Sequence, residues 1–288
     1  MSKVKIVTTN NQKGGIGKST TLVHCAVYIG RQLAEAGVKI LVIDLDPQGD
    51  SSAWMLPDFE DKMGRGELVC PSVLYNKKLQ NPEDLIQASK FGSNIHVVPS
   101  GLFIMDGIKK TRIKAFENFK ANVMKMIEYG DYDLVFFDTQ AGHNRVWESC
   151  IYTSTHTLFP STVDIDSFKG LARTLSLIEA MKKEFGDEID ITHLGTFFTQ
   201  VSMNINELQA LTKFKDNPEN LKYGPFRQTE HRVAMKFAKN NQMSIWDKKT
   251  KASLDARKEL AAVMNHYMVA LFWPDDLKAS CGLEFKKI

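Results

Sequence analysis

Short runs of consecutive apolar residues alternate along the chain with longer stretches in which apolar positions recur every three or four residues. The first run, Val4-Lys5-Ile6-Val7-Thr8-Thr9, is β-prone and ends on polar Asn10, Asn11 and Gln12. From Gly17 to about Ala36 the spacing turns helical. Leu22, Val23, Ala26, Leu33 and Ala34 form a broad apolar face, and Gly37 stands where a C-terminal cap belongs. Val38 to Asp44 is a near-continuous apolar strand. Later strand candidates are Ile95 to Pro99, Asp133 to Asp138, Thr157 to Pro160 and Ile191 to Thr199, with a weaker one around Tyr223 to Phe226. Helical spacing marks residues 108–129, 167–185, 203–216, 231–240 and 251–272, whereas 51–94 reads only as short helices and loops.

Strands alternating with helices predict an α/β fold: a mainly parallel, twisted sheet with helices on both faces. There is no internal repeat, low-complexity segment or Pro/Gly/Ser-rich linker, so residues 1–288 are expected to form a single domain with a helical, basic C-terminal portion at about 203–288. Hydrophobic content of 43% is enough for a sizeable core. No charged-then-apolar leader opens the chain, and no apolar run approaches the roughly 18 residues of a membrane helix. Cys25, Cys70, Cys150 and Cys281 are far apart and form no C-x-x-C pair. Buried thiols are expected from that spacing, not a disulfide, metal site or iron–sulfur cluster.

The densest chemistry is Lys13-Gly14-Gly15-Ile16-Gly17-Lys18-Ser19-Thr20. It misses the general pattern G-x-x-x-x-G-K-[ST] by spacing and fits a tighter variant. Glycines let the backbone approach a polyphosphate, and the following helix points its positive end at the same place. Gly14, Gly15, Ile16, Gly17, Lys18, Ser19 and Thr20 are the expected nucleotide contacts, with Lys18 placed for the β- and γ-phosphates and Ser19 for Mg²⁺. A ligand-free glycine turn is the bland alternative, and the strand–loop–helix order argues against it. Lys13 is the unusual residue, because a phosphate loop needs no lysine ahead of its first glycine.

Two apolar strands end in aspartate, at Asp44 and Asp138. A carboxylate at a strand tip beside a phosphate loop can hold Mg²⁺, directly or through water, or orient the attacking water. Taken singly, each could be a turn or cap aspartate, a reading that weakens when both close strands in one chain with a phosphate loop.

The phosphate-loop run, with Val42-Ile43-Asp44-Leu45-Asp46-Pro47-Gln48-Gly49 and Phe136-Phe137-Asp138, resembles the ParA/MinD family of deviant Walker-type ATPases, and the D-x-D-P-Q-G piece resembles its ParA partition branch. The likeness is densest over residues 3–52 and 131–142. It implies ATP and Mg²⁺ as ligands and an ATP-dependent homodimer in which the lysine matching Lys13 reaches the partner's phosphates. It also implies that Asp44 positions the hydrolytic water and that Asp138 is the Walker B aspartate near Mg²⁺. On this reading Lys13, Lys18 and Asp44 are catalytic, and Ser19, Asp44 and Asp138 serve the metal. Thr199-Gln200 and Pro225-Phe226-Arg227 stand where adenine contacts would fall, Pro225 and Arg227 among them. The chain departs from the family in Thr139-Gln140-Ala141-Gly142-His143-Asn144, where two prolines are usual. His143 there is expected to be a solvated loop residue and not a base.

Net charge is only +3, yet residues 209–258 hold twelve Lys and Arg against five Asp and Glu. Residues 108–125 add Lys109, Lys110, Arg112, Lys114, Lys120 and Lys125 against Glu117 alone. Such clusters are either solvated helix faces or a footprint for the phosphate backbone of nonspecific DNA. The resemblance favours DNA, with Lys213, Lys215, Arg232, Lys236 and Lys239 as the expected contacts. It also implies a centromere-binding adaptor protein and a cytoplasmic molecule that is nucleoid-associated when ATP-bound, with no membrane partner. No helix-turn-helix segment fits before the first strand, so operator binding is not expected. Three rivals stand beside this reading. A MinD-like membrane ATPase would need more than the short tail Cys281 to Ile288. A ligase on the same fold would need a second substrate motif. A non-hydrolysing scaffold would not need Asp44 and both lysines.

Overall fold

The apolar runs become the strands of one sheet in the computed structural model, which describes residues 4–102, 104–202, 204–230, 233–247 and 250–272. In chain order the elements begin with β1 (Lys5–Thr9), α1 (Lys18–Gln32), β2 (Ile40–Asp44), α2 (Asp50–Met55), α3 (Phe59–Gly64) and α4 (Val73–Asn76). Next come β3 (Gln87–Ala88), β4 (Ile95–Val98), α5 (Arg112–Gly130), β5 (Leu134–Asp138), α6 (Arg145–Thr153) and β6 (His156–Ser161). The chain continues with α7 (Ile165–Phe185), β7 (Thr192–Val201), α8 (Ile205–Asp216), β8 (Phe226–Glu230), α9 (Val233–Asn240) and α10 (Lys251–Phe272). The eight strands lie in the order β3-β4-β2-β5-β1-β6-β7-β8. All neighbours are parallel except the short β3, which runs antiparallel to β4 at the edge.

Alternation along each strand separates two cores. Val7, Val42, Leu134 and Phe136 pack on one face with α1 and α10. Ile6, Leu41, Ile43, Val135 and Phe137 pack on the other with α5 and residues of α4 and α6. Successive side chains of a strand point to opposite faces, so a strand buried on both sides must be apolar throughout. That is why β2 and β5 read as unbroken hydrophobic runs. A third cluster, with Trp147, Phe159, Leu171 and Ile178, extends the second face under α7.

The structure moves some expected boundaries. Helix α1 ends at Gln32, and Gly37, at φ +76°, closes the following turn instead of capping the helix. The weak strand expected around Tyr223 begins only at Phe226, because Pro218–Tyr223 forms a 3₁₀ turn. Helix α6 had no counterpart in the sequence pattern. It starts at Asn144, whose side chain accepts the Trp147 amide hydrogen. Residues 51–94 hold α2, α3, α4 and β3. Cys281 and the whole Cys281–Ile288 tail lie outside the described residues, as do Arg232, Lys248 and Lys249. Among the described residues, no helix is long and apolar enough to cross a membrane.

Strand β8 reaches the sheet through a close approach at Gly195. This glycine has φ +98°, and a Cβ there would run into the Pro225 carbonyl oxygen, which already accepts the Thr196 amide hydrogen at 3.0 Å. Gly195→Ala is therefore expected to lower unfolding free energy by at least about 2 kcal/mol in urea titration. A change within ~0.5 kcal/mol, the ordinary range for surface substitutions, would contradict the steric argument.

Candidate nucleotide site

The chain turns from one half of the sheet to the other around β1, whose neighbours are β5 and β6. In open α/β sheets, ligands gather at the carboxyl ends of strands near such a reversal. The loop between β1 and α1 lies there, with Gly15 at φ +73° and Gly17 at φ +88°. Gly17 is the residue preceding the first turn of α1. The loop is anchored on several sides. Asn10 is buried, and its Oδ1 accepts from Trp147 Nε1 at 2.8 Å. Asn11 donates to the Pro160 carbonyl and accepts the Lys13 amide hydrogen. Thr199 Oγ1 donates to the Ile16 carbonyl at 2.8 Å.

A cleft of about 680 Å³ opens over this loop. Gly14, Gly15, Gly17, Lys18, Ser19 and Thr20 line it as expected, whereas the Ile16 side chain is buried beneath. Lys18 is 8% exposed. Burial lowers its pKa, against the opposing pull of Asp138 and Asp46. Its Nζ donates to the Lys13 carbonyl at 3.2 Å.

Asp44 and Asp138 are paired neighbours at the ends of β2 and β5, and both are fully buried. Asp44 Oδ1 accepts the Asp46 amide hydrogen, while Oδ2 accepts from the Ser52 amide at 2.8 Å and the Ser52 hydroxyl at 2.7 Å. Burial, then the Asp138 charge, pushes the Asp44 pKa well up. Asp138 Oδ2 accepts from Ser51 Oγ at 2.5 Å, and its buried Oδ1 has no partner. Burial raises Asp138 to about 6 against the pull of the Ser51 and Ser19 hydroxyls. Ser19 is near enough to favour the charged form, but it is outside hydrogen-bond geometry with Oδ1. Neither Asp44 nor Asp138 lines the cleft, and the lining carboxylates of the segment after β2 are Asp46 and Asp50. The D-x-D spacing is the signal that could have found Asp46.

Lys13 behaves differently from Lys18. Its Nζ donates to Asp164 Oδ1 at 2.7 Å, with the two side chains 35% and 39% exposed. Asp164 caps α7 by accepting the Ser167 amide hydrogen, and its other oxygen accepts from Thr162 and Ser167 hydroxyls. Burial would raise the Asp164 pKa, but the Lys13 ammonium and these donors hold it well below the usual carboxylate range.

At the far end, Thr199 and Gln200 line the cleft, but Pro225 and Arg227 do not. Pro225 precedes β8 and packs on Gly195, and Arg227 donates to the Phe226 carbonyl and His266. Because β8 is parallel to its neighbour, its carboxyl end opens on the cleft, and Thr229 and Glu230 take the positions expected for Pro225 and Arg227. Gln200 faces the cleft through a break in the β7–β8 register, with φ +57°. His143 lies off the cleft, 3.0 Å from Glu148 Oε1.

Among the described residues, part of the cluster at 108–125 is paired within the chain. Arg112 binds Glu148 and Glu184, Lys114 binds Glu117, Lys120 binds Glu188, and Lys125 donates to the Leu79 and Gln80 carbonyls. For residues 108–125 these pairs shrink the free cationic strip, while Lys109 and Lys110 stay exposed. Of the expected DNA contacts, Lys213 is exposed and Lys215 donates to Gln228 Oε1 at 2.6 Å. Lys236 and Lys239 line the cleft, and Lys239 binds Asp50 at 2.6 Å.

A family model described as an AAA domain matches residues 4–191. The sporulation initiation inhibitor protein Soj of Bacillus subtilis is 22% identical over 273 residues, covering 90% of this chain and 98% of its own length. Protein IncC of Escherichia coli is 26% identical over 183 residues, covering 63% of this chain and 47% of its own length. An uncharacterised Mycobacterium tuberculosis protein is 26% identical over 210 residues, covering 72% of this chain. The chain spans 62% of the length of that relative. Among solved structures, apo McdA of Cyanothece superposes with a TM-score of 0.72 at 18% identity, over 92% of this chain and all of that one. A plasmid partition protein of Borrelia burgdorferi bound to AMPPNP superposes with a TM-score of 0.66 at 18% identity, over 93% of this chain and 100% of that one. At these identities the superpositions establish a shared fold. The matched domain, over residues 4–191, and the loop geometry show that the chain belongs to the ParA/MinD family of deviant Walker-type P-loop ATPases, as a ParA-type member.

Proposed function

We propose that the protein is an ATP-driven partition ATPase whose nucleotide state sets its pairing with a second copy of itself. The observation that carries this reading is the division of labour between the two lysines of the loop. Lys18 is buried in the cleft, where a fixed charge can meet the β- and γ-phosphates without reorganisation. Lys13 sits half-exposed at the rim in a reversible ion pair and is free to serve phosphates held by another subunit. A loose phosphoryl-transfer transition state spreads charge over the γ-oxygens, and a cation arriving from outside would stabilise it only in the dimer. Hydrolysis then removes the group that binds the two copies.

The donor set fits Mg²⁺. The unpartnered Asp138 Oδ1 and the nearby Ser19 hydroxyl suit a hard cation that takes its other ligands from phosphate and water. Among the described residues, no group of three or more His, Cys, Asp or Glu could hold a metal ion by itself. When bound, Mg²⁺ neutralises charge on the β- and γ-oxygens. Asp138 would hold it, directly or through water. Asp44, tied to Ser52, acts from behind Asp46, keeping a fixed turn beside the place of attack.

The exposed Lys213 on α8 and Lys236 on α9 carry the DNA reading, together with Arg232, which lies outside the described residues. Binding would be sequence-tolerant and ATP-dependent, and a centromere-binding adaptor would stimulate turnover.

Lys13→Ala is expected to remain monomeric with ATP and to lose turnover by at least about 100-fold, as when one transition-state charge donor is removed. Light scattering with ATP and ADP alongside phosphate release checks this, and parental dimerisation and turnover in the variant would overturn the trans-acting role. Affinity for random duplex DNA with ATP should fall by about 10³-fold or more between 50 and 200 mM salt if six or so phosphates are contacted. A flat salt response would remove DNA as the partner.

The buried carboxylates give a pH prediction. The usual pKa of Asp138 is 3.8 and its folded value is about 6, so the folded protein keeps the proton to higher pH than the unfolded chain. Stability from this group therefore falls as pH rises from about 4 to about 6, and the loss is complete above that window. Asp138→Asn should gain stability over the parent across the same window, by up to roughly 3 kcal/mol at neutral pH without divalent ions. Urea titrations of both proteins at pH 4 to 8 measure the difference, and a pH-independent difference would contradict it.

A further inference from the structure

Helix α2 is six residues long, yet its first three residues hold three separate parts of the molecule. Asp50 Oδ2 accepts from Lys239 Nζ of α9 at 2.6 Å. Ser51 Oγ donates to Asp138, and Ser52 donates twice to Asp44. Trp54 Nε1 adds a second link by donating to the Met243 carbonyl, just past α9, at 3.0 Å. Asp50 and Lys239 both line the cleft, so their ion pair ties α9 to the cleft wall formed by α2. A helix this short has little stability of its own and takes its order from its tethers.

We propose that Asp50 and Lys239 are positioning residues. Their ion pair fixes the α2 turn, and the turn fixes the two carboxylates buried at the ends of β2 and β5 beside the cleft. This rests on the reading of the cleft as the ATP site. The chain of contacts runs Lys239–Asp50, then through adjacent backbone to Ser51–Asp138 and Ser52–Asp44. The pair is half-exposed, at 38% and 50%, so it is a weak link that salt or a competing anion can open. Loss of the pair leaves the glycine loop and Lys18 untouched, so nucleotide affinity should survive while the arrangement of the carboxylates loosens.

The test compares the full-length parent with Asp50→Asn, Lys239→Gln and the charge-keeping Lys239→Arg. Two readouts are used: hydrogen exchange of α2 amides without nucleotide, and kcat and KM for Mg-ATP. Asp50→Asn and Lys239→Gln should each speed α2 exchange several-fold and lower kcat by about five-fold, with KM within about two-fold of the parent. Lys239→Arg, which keeps the charge, should keep the parent's α2 exchange. Unchanged exchange in the two charge-removing variants would overturn the inference. Faster exchange with parental kcat would also overturn it, by reducing the pair to a structural contact. A parent that turns over no ATP would instead remove the functional reading, while exchange alone would still decide whether the pair holds α2.

Discussion

Two carboxylates buried side by side at the ends of adjacent parallel strands set the terms for everything around them. Asp44 and Asp138 cannot both ionise in a dry interior without compensation, since each charge raises the cost of the other. The compensation comes from several directions. Serine hydroxyls from α2 cover two oxygens, Lys18 supplies a partly desolvated positive charge, and one Asp138 oxygen is left without a partner. Other features of the site follow from this arrangement. The glycine loop must bring Lys18 close, and α2 must begin where its serines can reach both strands. The strand order must also place β5 between β2 and β1. The charge balance stays incomplete in the protein alone, as the proposed Mg²⁺ site would require.

Much of this was legible in the chain because the constraints are local. A strand buried on both faces has to be apolar along its length, so β2 and β5 announced themselves and their terminal aspartates with them. The glycines of the phosphate loop mark backbone angles that other residues avoid, and the structure puts Gly15 and Gly17 there. What escaped notice depended on distant neighbours. Helix α6 is nine residues with β-branched Val146, Ile151 and Thr153, and it is helical because Trp147 and Ile151 pack under α7. Pro225 and Arg227 were placed in the cleft from their position after a strand, whereas β8 starts later than its pattern suggested and opens on the cleft through Thr229 and Glu230.

Charge shows the same division. Counting lysines and arginines along residues 108–125 suggests an open cationic strip, but Arg112 finds Glu148 and Glu184, which lie 36 and 72 residues away in sequence. No window of sequence contains those pairs. Lys239 likewise meets Asp50 across 189 residues, which moves it from an assumed outer surface to the wall of the cleft. Local composition therefore overstated the free positive charge, and tertiary pairing corrects it.

The way Asp164 is held has a kinetic consequence. Its carboxylate caps α7 through the Ser167 amide and receives two hydroxyls besides the Lys13 ammonium. When the lysine swings away, the cap persists and the acid keeps most of its hydrogen bonds. Departure thus neither frays the helix nor strands a bare anion, and its barrier should resemble that of an ordinary rim-exposed side chain changing rotamer. Under the proposed trans-acting role, release of Lys13 from its own acid is therefore not the costly part of the exchange.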